Sequence, residues 1–381
     1  MCYNFWQRWG LLIGLIISFS VSASPAFQAT PKLKNVPNNT WIQVNQGGIK
    51  APRGIMAYSG GWYDPKNHQF CIFGGGHWNY SGNEVWCFDI SSLVWKEMYK
   101  PDVIASNGGN QGAYNNFDDR RFPGALFKPA GESIKNANPM SRHTYEQMEY
   151  VEGLGPVVWG GYTWGDGSTT RWCEHCKDTW AFNFATASWQ YLYNGTNPSP
   201  NRRAGVGASA YSSADKLLYA LILSETWTFD PESARWSQIN TSGNAPWSIE
   251  MTMEYDSKRN VLYTFGGSYP NNPNLHRFDI ASNTWTKLSP TGTGPVIGAV
   301  PNAGLAYDSA NDVLLVLLEG TLWAYDPNKN SWTQHRTKNQ PKNNDYVFGR
   351  FRYDPVNKGV WFHGWQNDQH TTWFYRYKQT P

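Results

Sequence analysis

The chain has 381 residues, a formal net charge of +3 and only 16% charged residues, and it shows none of the polybasic striping that tracks phosphates, which argues against a nucleic-acid partner. No apolar run approaches the roughly 20 residues of a spanning helix, so no membrane span is expected, and the protein is expected to act as a monomer. Aromatic residues are in excess, with 21 Trp, 22 Tyr and 18 Phe. Many must fill a core, yet an aromatic-rich exported protein is also suited to stacking on sugar rings.

Residues 1–23 read as a secretory signal peptide: Arg8 is the only charge, Leu11 to Phe19 is apolar, and Val21-Ser22-Ala23 is a small-x-small cleavage site. The mature protein is therefore expected to be secreted or periplasmic, with residues 24–39 as a leader segment. Cys2 leaves with the signal. Of the four remaining cysteines, Cys71 and Cys87 flank the "HWNYSGN" turn symmetrically and are predicted to form a cross-strand disulfide. Cys173 and Cys176, in "RWCEHCKDTW", either bridge a tight loop or, with His175, hold a structural metal ion; no other cofactor is called for.

From residue 40 onward a repeat governs the chain. A Trp that follows a polar turn and opens a short alternating strand recurs at Trp41, Trp95, Trp189, Trp236, Trp285 and Trp332, at spacings of 54, 94, 47, 49 and 47. A strand ending in Tyr keeps step with it, and the markers are taken as Tyr58, Tyr150, Tyr211, Tyr255, Tyr307 and Tyr353. Gly-Gly closes a strand at 74–75, 160–161 and 266–267, and an aromatic-Asp pair precedes most of the Trp strands. Four short alternating strands in a unit of nearly 50 residues describe one blade of a β-propeller.

The predicted fold is all-β, a single propeller over 40–381. Six blades are preferred over seven, and the N-terminal strand at Trp41 closes the last one. The double glycine, spaced aromatic and Trp resemble the kelch-repeat family over about residues 40 to 378. A Gly-, Asn- and Pro-rich stretch at about 99–140 lacks alternation and reads as a loop insertion. The marker Trp and Tyr residues are assigned to core packing, and His68 and His335 to the surface.

In a propeller, the loops between second and third strands and the links from fourth strand to next first strand share one face. "GGGHWNYSGNEVW" brings His77, Trp78, Tyr80 and Asn83 to that mouth, and "GGYTWGDGSTTRW" brings Tyr162, Trp164 and Arg171. Tyr269 and His276 come from "GGSYPNNPNLHRF", and Trp365 and His370 from "GWQNDQHTTW". Counting back five and seven residues from each marker Tyr gives a second ring, which includes His143, Tyr145 and Glu250, with Arg203 and Arg350 beside it.

This collection of His, Tyr and Arg suits β-elimination at a uronate, where one group neutralises the carboxylate, a base takes the C5 proton and an acid protonates the leaving oxygen. It is similar in residue types to propeller polysaccharide lyases such as the ulvan lyases. That resemblance implies His77 or His143 as neutraliser or base, Tyr145 or Tyr162 as acid or base, and Arg203 as a carboxylate clamp. A polysaccharide is thus the expected partner. Two alternatives stay open: a non-catalytic propeller that binds carbohydrate or protein, and a copper oxidase resembling galactose oxidase.

Overall fold

The structure is a computed structural model and describes residues 27–44, 58–74, 83–100, 138–139, 142–161, 178–192, 200, 207–268, 270–296, 303–341, 347–366 and 369–378, with backbone alone at 365, 366, 369 and 370. Six antiparallel sheets form six blades of a β-propeller. Blade 1 comprises Gly60–Asp64, Gln69–Phe73, Trp86–Asp89 and Val94–Glu97, and blade 2 Met148–Val151, Gly155–Trp159, Thr179–Asn183 and Ser188–Tyr191. Blade 3 runs from Ala208–Ser212 to Arg235–Ile239, and blade 4 from Thr252–Asp256 to Thr284–Lys287 with Ser242–Gly243 as a short parallel fifth strand. Blade 5 runs from Gly304–Asp308 to Ser331–His335.

Blade 6 takes three strands from the C-terminal end, Phe351–Asp354, Gly359–Gln366 and Gln369–Arg376, and its fourth, Thr40–Gln43, from near the N-terminus. This is the closure that Trp41 suggested: the outer edge of the last sheet is paired, and the ring is tied shut by backbone hydrogen bonds between distant parts of the chain. The first strand of each blade lies against that of the next all the way round.

The local code is repeated. Five residues after each strand-ending Tyr the backbone enters the left-handed region, at His68, Gly155, Lys216, Asn260, Asp312 and Lys358, which closes the turn between first and second strands. Two residues before each marker Trp it does so again, at Asn39, Leu93, Ala187, Ala234, Asn283 and Asn330. Aspartates receive the freed amides. Asp64, Asp256, Asp308 and Asp354 serve the first turn, and Asp89, Asp230, Asp279 and Asp326 the second, each accepting from an N–H two or three residues on. The recurring aromatic-Asp pair is thus turn chemistry.

Blades are stapled to their neighbours by the marker tryptophans. The indole N–H of Trp95, Trp236 and Trp285 donates to Thr372, Thr179 and Thr226 of the preceding blade at 2.8, 2.8 and 2.9 Å. The leader adds a further tie, since the short helix Pro31–Lys34 buries Leu33, and Val36 follows it into the cluster formed by blades 1 and 6. Cys71 and Cys87 face each other across adjacent strands and are bonded.

Two expectations are corrected. The strand-ending Tyr of blade 1 is Tyr63 and not Tyr58, because the strand is Gly60–Asp64 and its Asp64 makes the turn. His68 is buried, 1% exposed, where a surface position was expected: it holds the left-handed turn position against Asp354 and Asn357.

Candidate functional site at the propeller mouth

Moving the blade-1 marker to Tyr63 puts Tyr58 five residues before it, the same place as Tyr145, Glu250 and Phe348 in blades 2, 4 and 6. All four have a positive φ, between 42° and 60°. This left-handed residue turns the incoming link onto the first strand, and side chains from four blades converge there: Tyr145 and Phe348 form a small buried cluster against which Tyr58 and Ile249 pack. Backbone bonds lock the arrangement. Tyr58 O accepts from the amides of Thr144 and Tyr145 at 3.1 and 3.0 Å, and Tyr145 O accepts from Gly349 N at 3.3 Å.

His143 sits inside this cluster. Its Nδ1 is 3.2 Å from the Tyr145 hydroxyl, and its ring stacks on Tyr58 with centroids 4.5 Å apart and planes 23° from parallel. Phe348 meets Tyr145 edge-on at 5.0 Å. His143 and Tyr145 are nearly covered, 2% and 4% exposed, whereas Tyr58 and Glu250 are partly exposed.

The segment carrying His143 is held by the strand-end glycines. Gly74, at φ +119°, lies so close to the next blade that a Cβ would come within 2.6 Å of Thr144 Oγ1 and 2.7 Å of Arg142 O. Gly161, at φ +95°, would place a Cβ 2.8 Å from His143 O. The double glycines therefore grip residues 142–144 from both sides. Arg142 completes the clamp, donating from Nη1 and Nη2 to the Asp178 carboxylate at 2.5 and 2.9 Å and from Nη1 to Gly160 O at 2.8 Å.

Glu250 is the titratable member with an altered balance. Burial pushes its carboxyl above the ordinary 4.5, and the neighbouring Ser268 and Tyr145 hydroxyls offset this only in part. The site thus joins an imidazole and a phenol in contact to a second phenol and a carboxyl whose pKa burial raises.

The remaining sequence-predicted residues are distributed as follows. Asn83 is buried, and its amide donates to Pro139 O at 3.1 Å, anchoring the link that enters blade 2. Arg350 is buried and donates to the backbone carbonyls of His363 at 2.6 Å and Ser59 at 3.3 Å, and burial lowers its pKa to about 9. His276 lies within the third strand of blade 4, 5% exposed, and burial, assisted by the charge of Lys287, lowers its pKa to about 4, so it is neutral at pH 7. Trp365 and His370 are cross-strand partners at the mouth end of blade 6.

His77, Trp78, Tyr80, Tyr162, Trp164, Arg171, Cys173, His175, Cys176, Arg203 and Tyr269 lie outside the described residues, as do the signal segment and most of the 99–140 insertion. Sequence reasoning missed Tyr58 by counting it as a core marker. The signal that finds it is the match of "YDPKN" at 63–67 to "YDPVN" at 353–357.

Below the mouth, on the ring axis, lies a second charged group. Arg352 of blade 6 donates from Nη2 to Glu146 at 2.8 Å and from Nε to Gly61 O at 3.1 Å, and its Nη1 lies 3.7 and 3.8 Å from Glu149 and Glu254. A single guanidinium that reaches blades 1, 2 and 4 must cross the axis. It cannot compensate three carboxylates, and burial raises the pKa of Glu146 and of Glu254 to about 8.

Comparison of the chain with models of protein families and with curated proteins returns no match. The six-bladed propeller and its mouth therefore carry the functional argument.

Proposed function

We propose that this chain is an exported, kelch-type propeller that acts on a uronate-containing polysaccharide by β-elimination. The observation that carries the reading is the convergence of His143, Tyr145, Tyr58 and Glu250 from three blades at one mouth, with Nδ1 of His143 3.2 Å from the Tyr145 hydroxyl. In the reaction a base removes the C5 proton, the electron pair of that bond forms the C4–C5 double bond, and the C4–O4 bond breaks with protonation of the departing oxygen.

The partly exposed Glu250 suits the removal of the C5 proton. Burial raises the pKa of its carboxyl, which makes the carboxylate a stronger base than one in water. Tyr58, also partly exposed and stacked on His143, is the phenol suited to proton transfer. The covered His143 and Tyr145 act as positioning residues, the imidazole setting the Tyr58 ring and the Tyr145 hydroxyl lying beside Glu250. The disulfide between Cys71 and Cys87 supports an oxidising compartment, in keeping with export.

The near-complete burial of His143 and Tyr145 favours a second reading, a non-catalytic module that binds carbohydrate or protein, in which the pair is structural. Incubation of the mature protein with a panel of uronate-rich polysaccharides, followed by absorbance of the unsaturated product, separates the two. The lyase reading expects a rise that Glu250→Gln and Tyr58→Phe abolish with unchanged thermal unfolding. No rise on any substrate, with binding retained in affinity gels, establishes the module.

A further inference from the structure

Among the described side chains one tryptophan stands apart. Trp247 is 53% exposed, while every other is 9% exposed or less. It lies in the link between blades 3 and 4, three residues before Glu250 and so at the mouth. Nothing in the strand pattern asks for it, since it falls eleven residues after the marker Trp236 and beyond the alternating strand. In the next link the equivalent place, eleven residues after Trp285, holds Val296, which is 78% exposed.

The backbone that carries Trp247 is held on both sides. Pro246 before it is buried. After it, Ser248 Oγ donates to Pro270 O at 2.8 Å, and Ser268 N donates to Ile249 O at 2.9 Å. Gly267 makes this possible: at φ +130° it comes so near that a Cβ would stand 2.2 Å from Ser248 Oγ. The loop that Ser248 grips continues through polar residues, where Asn272 Oδ1 accepts from Asn274 N and Nδ2 at 3.1 and 2.7 Å. A broad apolar ring is therefore presented to solvent on an ordered support, next in the chain to the residue that grips the Asn-rich 270–274 loop and three residues from Glu250. A pyranose matches that environment, with an apolar C–H face to lie on the indole and hydroxyls at its edge for the polar rim, whereas an apolar peptide would leave the rim unsatisfied.

We propose that Trp247 is a carbohydrate-stacking subsite, holding the sugar next to the one at Glu250; this rests on the reading of the mouth as a polysaccharide site. It positions the chain and takes no part in bond breaking.

The test uses the whole mature protein with oligosaccharides of alginate and polygalacturonate as probes, in calorimetric titrations of wild type, Trp247→Ala, Trp247→Phe and Glu250→Gln. Trp247→Ala is expected to weaken binding about tenfold and Trp247→Phe to restore most of the loss. In the wild-type protein, bound oligosaccharide should slow oxidation of Trp247 by N-bromosuccinimide, read by peptide mass spectrometry, a measurement that needs no variant. Affinity unchanged in Trp247→Ala, or oxidation unaffected by saturating ligand, while Glu250→Gln still weakens binding, overturns the subsite and leaves the mouth reading standing. Failure of wild type to bind any probe overturns both.

Discussion

Asp354 and Glu250 are carboxylates at opposite ends of the same kind of strand, and they are treated in opposite ways. Asp354 ends the first strand of blade 6 and accepts from the amides of Val356 and Asn357, the Asn357 side chain and the Trp361 indole, with His68 3.5 Å away. Burial alone would raise its pKa, but His68, Asn357 and Trp361 together hold it below 3.8. Glu250 stands just before the first strand of blade 4, and burial raises its pKa because the Ser268 and Tyr145 hydroxyls do not make up the loss of water. At the far end of the propeller the same Asp turn recurs in blades 1, 4, 5 and 6, each carboxylate accepting from amides of its own turn, although at Asp308 burial outweighs those donors and raises the pKa. The mouth leaves a charge under-satisfied, which is the usual mark of a group kept for chemistry or binding.

The largest effect that sharpens this contrast is expected at the far end. Asp354→Ala strands several buried donors and should cost about 3–5 kcal/mol in equilibrium denaturation. Because the folded pKa lies below the unfolded one, the stability Asp354 contributes is present above pH 3.8 and is lost as pH falls through the lowered value. A variant that unfolds at the wild-type denaturant midpoint would show that the turn does not depend on this carboxylate.

The blade staples come next. Trp236→Phe removes the bond to Thr179 and should cost about 1–2 kcal/mol, with Trp285→Phe and its lost bond to Thr226 close to it, if the scaffold is as uniform as its repeat. Widely different losses in urea titrations would mean that the blades are not equivalent.

The axial glutamates resemble Glu250 rather than Asp354. Unfolded glutamates ionise near 4.5, while Glu254 in the fold keeps its proton to about 8, so the native state binds more protons between these values and stability falls as pH rises across the window. Glu254→Gln should therefore gain on wild type progressively from pH 4.5 to 8 in thermal unfolding. A constant difference between the two proteins would contradict the shift.

The smallest stability effect belongs to Glu250→Gln, within about 0.5 kcal/mol at low pH, and turning in favour of the variant as pH passes the raised pKa. Its functional effect is expected to be large. Stability lost together with activity would move Glu250 from the site to the scaffold.

Much of the scaffold was legible. The six Tyr markers counted six blades, although the first was set at Tyr58 where the strand ends at Tyr63, and the isolated strand at Trp41 pointed to the closure with the last blade. Symmetry about a turn paired Cys71 with Cys87. These features repeat or lie close in sequence, so pattern alone carries them. The site was less legible. His143, Tyr145 and Glu250 were found by counting back from the Tyr marker, but Tyr58 was lost because "MAYSGG" imitates the strand ending that "GGWYDP" supplies. Trp247 gave no pattern to read, since exposure is a property of neighbours and not of spacing.

Local code in this chain determined the strands, their turns and the number of blades, because Asp acceptors, left-handed turn residues and alternating apolar side chains act within a few residues of one another. Tertiary structure decided which side chains meet across the ring: that His143 lies beneath Tyr58, that Arg352 faces three glutamates, and that one tryptophan among those described is left in water. Those encounters depend on how closed blades bring distant links together, and on how much water is excluded when they do.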